Sequence, residues 1–244
     1  MPLLERLQTG LNAVYPARCL SCGDVVGSDY GLCGPCWRGV AFIGSTICDM
    51  CGAPLPGMAG TDVLACDACL QSPRPWAQGR AAVLYADTGR RLVLALKHGD
   101  RQEIARPAGC WMAAAAQPLL REDTLIVPVP LHWRRMASRR YNQSALLARA
   151  IARESARTWC PDLLQRHRAT PSLDGLGREA RFDALQDAIR LNPARRTMVR
   201  SRPVLLVDDV MTSGATLAAA TAACLAAGSG QVCVVTLARV VKDT

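Results

Sequence analysis

Two groups of residues in this 244-residue chain have types and spacing that chemistry can use. The first is a series of four Cys-x-x-Cys pairs, Cys19/Cys22, Cys33/Cys36, Cys48/Cys51 and Cys66/Cys69, which take eight of the twelve cysteines. Two residues between thiolates let both sulfurs face one cation while backbone N–H groups turn inward, and two such pairs complete a closed tetrahedral site of the structural kind. Eight ligands predict two structural Zn²⁺ sites. Gly23, Gly34, Pro35, Gly52 and Pro54 follow the pairs, as tight turns require. Sequential pairing is the simplest arrangement, and the spacing also permits an interleaved one. Redox or disulfide use is the alternative, but four pairs in series favour metal. Cys110, Cys160, Cys224 and Cys233 stand singly in apolar surroundings and read as buried.

The second group lies in Val204-Leu-Leu-Val-Asp208-Asp209-Val-Met-Thr212-Ser213-Gly214-Ala215-Thr216. An apolar strand is expected to stop at two carboxylates, and a turn of small and hydroxylated residues then leads into a helix. Ligands of open α/β sheets bind at the carboxyl ends of strands. Small residues let a phosphate approach the backbone, hydroxyls donate to it, and the helix N-terminus adds a favourable dipole. Adjacent acids before that turn can accept hydrogen bonds from vicinal hydroxyls. Ribose 5-phosphate presents both features, a diol and a phosphate. A P-loop would need a lysine after the glycine, and a dinucleotide site would put its acid after the glycines rather than before them.

The elements that must hold these residues can be read from hydrophobic patterning. Ala81–Ala86, Leu125–Pro130, Pro203–Val207 and Gln231–Leu237 read as buried strands, with helices over Gly89–Lys97, Glu103–Leu120, Asn142–Arg157 and Thr216–Ala227. Gly99 marks a break, Asn142 or Ser144 is a candidate N-cap, and one more helix is expected over Arg178–Ile189. Apolar strands alternating with helices predict an α/β fold whose parallel sheet is covered on both faces. A linker near Gln71–Pro75 separates a cysteine-rich module, residues 1–72, from a domain over residues 77–244. The module has too few apolar residues for a core of its own, so metal supplies its folding energy.

The net charge of +9 comes almost wholly from arginine, since Lys97 and Lys242 are the only lysines. Such a balance suits an anionic partner, and equally a general compositional preference for arginine. Leu3, Leu7, Leu11 and Val14 recur at helical spacing. No secretory signal or membrane-length apolar run is visible, so a soluble, cytoplasmic protein is expected.

The Val204–Thr216 segment resembles the PRPP (phosphoribosyl pyrophosphate) signature of type I phosphoribosyltransferases at every position. The chain as a whole resembles the ComF family (competence protein F and the related GntX proteins), which joins a cysteine-knuckle zinc-ribbon module to a phosphoribosyltransferase-like domain. The resemblance implies that Asp208 and Asp209 hold the ribose hydroxyls and that Thr212, Ser213, Gly214, Ala215 and Thr216 cradle the 5-phosphate. It implies a pyrophosphate region after Val127-Pro-Val-Pro130, with His132, Arg134, Arg135, Arg139, Asn142 and Gln143, where guanidinium groups suit phosphate. It also implies a lysine facing the site at Lys97. Mg²⁺ would enter with PRPP, held mainly by the ligand's oxygens and water. Arg140 stands where the family commonly has glycine, and in the loop over Thr170–Ile189 only Thr170 and Arg181 match. The implied activity is phosphoribosyl transfer in competence, DNA uptake or DNA utilisation. The competing expectation is a non-catalytic module binding PRPP or single-stranded DNA alongside competence proteins.

Overall fold

The computed structural model describes residues 15–57, 62–98, 100–131, 141–167 and 188–241. The expected N-terminal helix, His132, Arg134, Arg135, Arg139, Arg140, Thr170 and Arg181 lie outside them. Four strands, β1 (Gly79–Leu84), β2 (Leu125–Pro128), β5 (Val204–Met211) and β6 (Val232–Arg239), form one parallel sheet in the order β1-β6-β5-β2. A separate antiparallel pair joins β3 (Leu164–Arg166) to β4 (Ile189–Leu191). The helices are α1 (Gly34–Arg38), α2 (Asp67–Leu70), α3 (Asp87–His98), α4 (Ala105–Ala116), α5 (Gln143–Ser155), α6 (Arg196–Val199) and α7 (Ala215–Ala226). The α/β class and the parallel sheet are therefore as the patterning predicts.

Successive strand residues face opposite sides of a sheet, and here both sides are apolar. Leu205 and Val207 of β5, with Val235 and Leu237 of β6, pack against Leu92 and Leu96 of α3, Met112 of α4, and Leu147 and Ile151 of α5. Val204 and Leu206 face the other way, into a cluster with Leu217 and Ala220 of α7. Burying each Leu or Val of this kind stabilises the fold by roughly 1.5–3 kcal/mol.

The second face differs from the first in its cover. Only α7 among the longer helices lies there, and Cys48, Cys51, Cys69 and Trp76 complete the cluster with Val127, Leu206 and Val234. The cysteine module therefore shares the sheet's core. Its Asp49 accepts from the Gly79 N–H at 2.7 Å and pairs with Arg80 of β1 at 2.9 Å. Gly52, at φ +68°, lies so close to β1 that a Cβ would sit 2.7 Å from the Ala81 nitrogen.

Several expected boundaries shift. β5 does not stop at the two acids but runs on to Met211, because β6 extends to Arg239 and pairs with it in register. β1 begins at Gly79 and ends at Leu84, where Asp87 at φ +39° turns the chain into α3. The helix expected over Arg178–Ile189 does not include its last residue, since Ile189 pairs with Arg166 in the small sheet. Cys110 is exposed on α4 beside Glu154, unlike the buried Cys160, Cys224 and Cys233. An alanine-rich helix has few bulky residues to sink its outer face.

Candidate functional site

The cysteine pairs close sequentially. Cys19, Cys22, Cys33 and Cys36 form one tetrad and Cys48, Cys51, Cys66 and Cys69 another, with all sulfurs of a tetrad within 4.8 Å of one another. The Cys22–Cys33 and Cys51–Cys66 sulfurs lie 3.6 and 3.7 Å apart. A tetrahedral ion with Zn–S bonds of about 2.3 Å needs sulfurs about 3.8 Å apart, so both donor sets fit Zn²⁺. Backbone donors support the charge, as where Cys19 Sγ accepts from the Cys33 N–H at 3.3 Å. Cys51 is drawn down to about 4, first by its hydrogen bond with Cys48 and further by the Arg239 charge.

At the carboxyl edge of the sheet the two acids of β5 meet side chains from two other elements. Asp208 Oδ1 accepts from Ser144 Oγ at 2.8 Å and from the Asp209 N–H at 2.9 Å. Lys97, from the last turn of α3, places its Nζ 3.1 Å from Asp209 Oδ1. Ser144 stands in the first turn of α5, whose N-cap is Asn142, accepting from the Ser144 N–H. A serine hydroxyl so close to its own N-cap is freed from capping, and here it turns to the carboxylate.

Asn142 and Gln143 are buried, and each commits a side-chain donor to the backbone. Asn142 Nδ2 donates to Val129 O at 3.0 Å, fixing the segment after β2. Gln143 Nε2 donates to Lys97 O at 3.3 Å, and Tyr141 donates to Leu96 O at 2.7 Å. The last carbonyls of a helix lack intrahelical partners, so these donors finish α3 and fix the stem of Lys97.

Burial pushes Asp208 up to about 7, helped by the neighbouring Asp209 charge and opposed by Ser144. A carboxyl whose folded value lies above the ordinary range of about 3.9 binds more protons folded than unfolded. Its contribution to stability is therefore full in acid and is lost as pH rises from about 4 through about 7. Acceptance of hydroxyl donors has the opposite sign, because it requires the ionised form. Ser144→Ala removes a donor to that form and is expected to raise the Asp208 value by about one further pH unit. Carbon NMR titration of the labelled carboxyl checks this, and an unchanged titration would mean that Ser144 does not stabilise the charge.

After Met211 the chain turns through Thr212, exposed, and Ser213, half-buried, into α7. Gly214 is the helix N-cap at φ +83°, and a Cβ there would lie 2.9 Å from the Trp76 ring. Ala215 is buried and Thr216 half-buried. No acidic side chain occupies the first turn of α7, so its N–H groups face no competing carboxylate of their own helix.

Three contributors escaped sequence reasoning. Ser144 could be read only as a cap. Arg74 and Arg239 lie in a linker and at the end of an apolar strand. Arg239 Nη1 donates to Met211 O at 3.1 Å and Thr212 O at 3.0 Å, and Arg74 Nη1 to Ser213 O at 2.5 Å. A buried arginine in β6, demanding partners, was the available signal.

Residues 10–76 match the double zinc ribbon domain family. The DNA utilization protein YhgH of Escherichia coli K12 is 33% identical over 194 residues, covering 78% of this chain and 82% of that one. The chain belongs to the ComF family. Other members similar to it are YhgH of Salmonella typhi, 34% identical over 78% of this chain and 82% of that one. Competence protein F of Haemophilus influenzae is 28% identical over 82% and 87%. A solved glutamine PRPP amidotransferase from B. subtilis, complexed with ADP and GMP, resembles this ComF-family chain with a TM-score of 0.38 and 15% identity. It covers 56% of this chain and 26% of its own. The allosteric regulatory enzyme of purine biosynthesis gives a TM-score of 0.37 and 17% identity, covering 55% and 26%. Among the described residues no helix is long and apolar enough to cross a membrane.

Proposed function

We propose that the carboxyl edge of the sheet binds the ribose 5-phosphate part of PRPP and that the chain acts in DNA utilisation as a phosphoribosyltransferase-like protein. The observation that carries this reading is the joined set Lys97–Asp209–Asp208–Ser144, which ends where Thr212–Gly214 turn into the N-terminus of α7. Asp208 and Asp209 accept from the ribose 2′ and 3′ hydroxyls, while Thr212, Ser213, Gly214, Ala215 and Thr216 hold the 5-phosphate. Lys97, with His132, Arg135 and Arg139, offers positive charge to the pyrophosphate, and Asn142 and Gln143 position that region from behind. Mg²⁺ bound with PRPP would neutralise the pyrophosphate oxygens. In transfer, an acceptor's lone pair forms the new bond at C1 as the C1–O bond breaks and its electrons leave with pyrophosphate. Acids fixed on the diol and cations fixed on the leaving group hold those partners in line.

Calorimetric titration of the zinc-loaded protein with PRPP and Mg²⁺ tests the reading. Binding in the micromolar range that disappears in the Asp208→Ala/Asp209→Ala double variant supports it, and absence of binding to the native protein sinks it.

A second reading, contact with single-stranded nucleic acid, rests on a separate surface. Trp37 and Phe42 of the first ribbon are about half exposed and stack with Trp111 of α4 at centroid distances of 5.2–6.1 Å. Arg106 lies over Tyr30 nearby, at 4.7 Å. Aromatic faces beside guanidinium groups suit stacked bases. An oligonucleotide titrated in the same calorimeter separates this reading from the first.

A further inference from the structure

The second cysteine tetrad and the turn after β5 share two arginines. Arg239, 6% exposed, places Nη2 3.6 Å from Cys51 Sγ while its Nη1 donates to Met211 O, Thr212 O and Val240 O. Arg74 repeats the arrangement, with Nε 3.3 Å from Cys69 Sγ and Nη1 2.5 Å from Ser213 O. A third link is apolar. Trp76 donates to the carbonyl of Met50, inside the Cys48–Cys51 knuckle, and its ring lies against Gly214 and under the Arg74 guanidinium.

These contacts fix the direction of three consecutive peptides. Every peptide described is trans, and a trans peptide points its C=O and the next N–H to opposite sides. Carbonyls of residues 211, 212 and 213 drawn towards the arginines therefore turn the N–H groups of 212, 213 and 214 the other way. A run of N–H groups on one side is an anion-binding concavity. The arginines suit the role because a guanidinium fork can satisfy sulfur and carbonyl together, and four thiolates around one divalent ion leave excess negative charge for it to face.

The first tetrad has no such place. Leu20 and Val40, from its loops, pack on the opposite face of the sheet with α3 and α4.

We propose that Arg74 and Arg239 are positioning residues through which the metal centre at Cys48, Cys51, Cys66 and Cys69 holds the phosphate turn in its binding conformation. Ribose-phosphate affinity then depends on the second metal centre and not on the first. The role assigned to the turn rests on the PRPP reading above, but the mechanical link does not. With the metal gone the four sulfurs lose their common position, and both guanidiniums lose an acceptor.

Amide hydrogen exchange across residues 211–216 reads the link without any ligand. Zinc-loaded native protein, Arg239→Gln, Arg74→Gln and Cys22→Ser are compared, with zinc content and circular dichroism followed in each. Both arginine variants are expected to keep two zinc ions and exchange at 212–214 at least about tenfold faster. Their affinity for ribose 5-phosphate should fall by a similar factor. Cys22→Ser should lose one zinc and leave exchange in the turn as in the native protein. Native exchange rates in the arginine variants, or equal acceleration in Cys22→Ser, would overturn the proposal. If Arg239→Gln does not fold, Arg74→Gln decides, since Arg74 is only half-buried. Native protein that ignores PRPP, with exchange behaving as expected, would sink the ligand assignment and keep the link.

Discussion

Cys51→Ser should lower the melting temperature by about 10 °C or more and reduce the zinc content from two ions to one. Cys51 is fully buried within the cluster that holds Leu206, Val234 and Leu217, so its tetrad doubles as cover for one face of the sheet. Structural Zn²⁺ binding is worth roughly 10–16 kcal/mol in small ribbon peptides, and much of that is folding energy. Losing even about 4 kcal/mol in a chain of this size corresponds to roughly 8–16 °C. Cys22 is exposed, and the equivalent Cys22→Ser should remove one zinc with a much smaller shift. Scanning calorimetry beside metal analysis gives the comparison. Equal shifts in the two variants would mean that the second tetrad does not serve as core.

The other large effect belongs to Gly214. A side chain at φ +83° costs roughly 1–3 kcal/mol, and a β-branched residue is the least tolerant of it. In Gly214→Val the new Cβ would also press on the Trp76 ring at 2.9 Å and on Arg74 Nη1 at 3.2 Å. The turn must open or Trp76 must move, and either displaces the N–H groups beside it. Ribose 5-phosphate affinity is expected to fall about a hundredfold, equivalent to roughly 2.7 kcal/mol, with both zinc ions retained. Calorimetry on the variant would contradict the placement of the phosphate if affinity stayed native.

Much of this was legible in the sequence because the relevant signals are local. Cys-x-x-Cys spacing reports a knuckle within four residues, and the β5–turn–α7 segment carries its acids, glycine and helix start in one continuous stretch. Pairing of the knuckles needed only the shortest connection. What stayed hidden depends on distant partners. Ser144 meets Asp208 across 64 positions, Arg74 meets Ser213 across 139, and Arg239 meets Cys51 across 188. No local pattern marks an arginine as a bridge. Strand ends were misjudged for the same reason. β5 continues past its acids because β6, not its own composition, supplies the pairing at Met211. The β3–β4 pair, three residues in each strand, is too short for alternation to announce it.

The strand order also sets a timetable for making the protein. β1 and β2 leave the ribosome early, yet they never touch, because β6 and β5 stand between them. Those two central strands occupy residues 204–239, near the end of synthesis. Until then neither outer strand has a partner, and the apolar face of the second ribbon has nothing to lie on. The ribbons, complete by Cys69, can take up metal long before. A zinc-loaded head therefore waits, with its inner face bare, for about 170 residues to be translated, and long-range pairing of this kind is slow and aggregation-exposed. A message cut short before Val204 would yield a metalloprotein without a sheet, a substrate for chaperones and proteases.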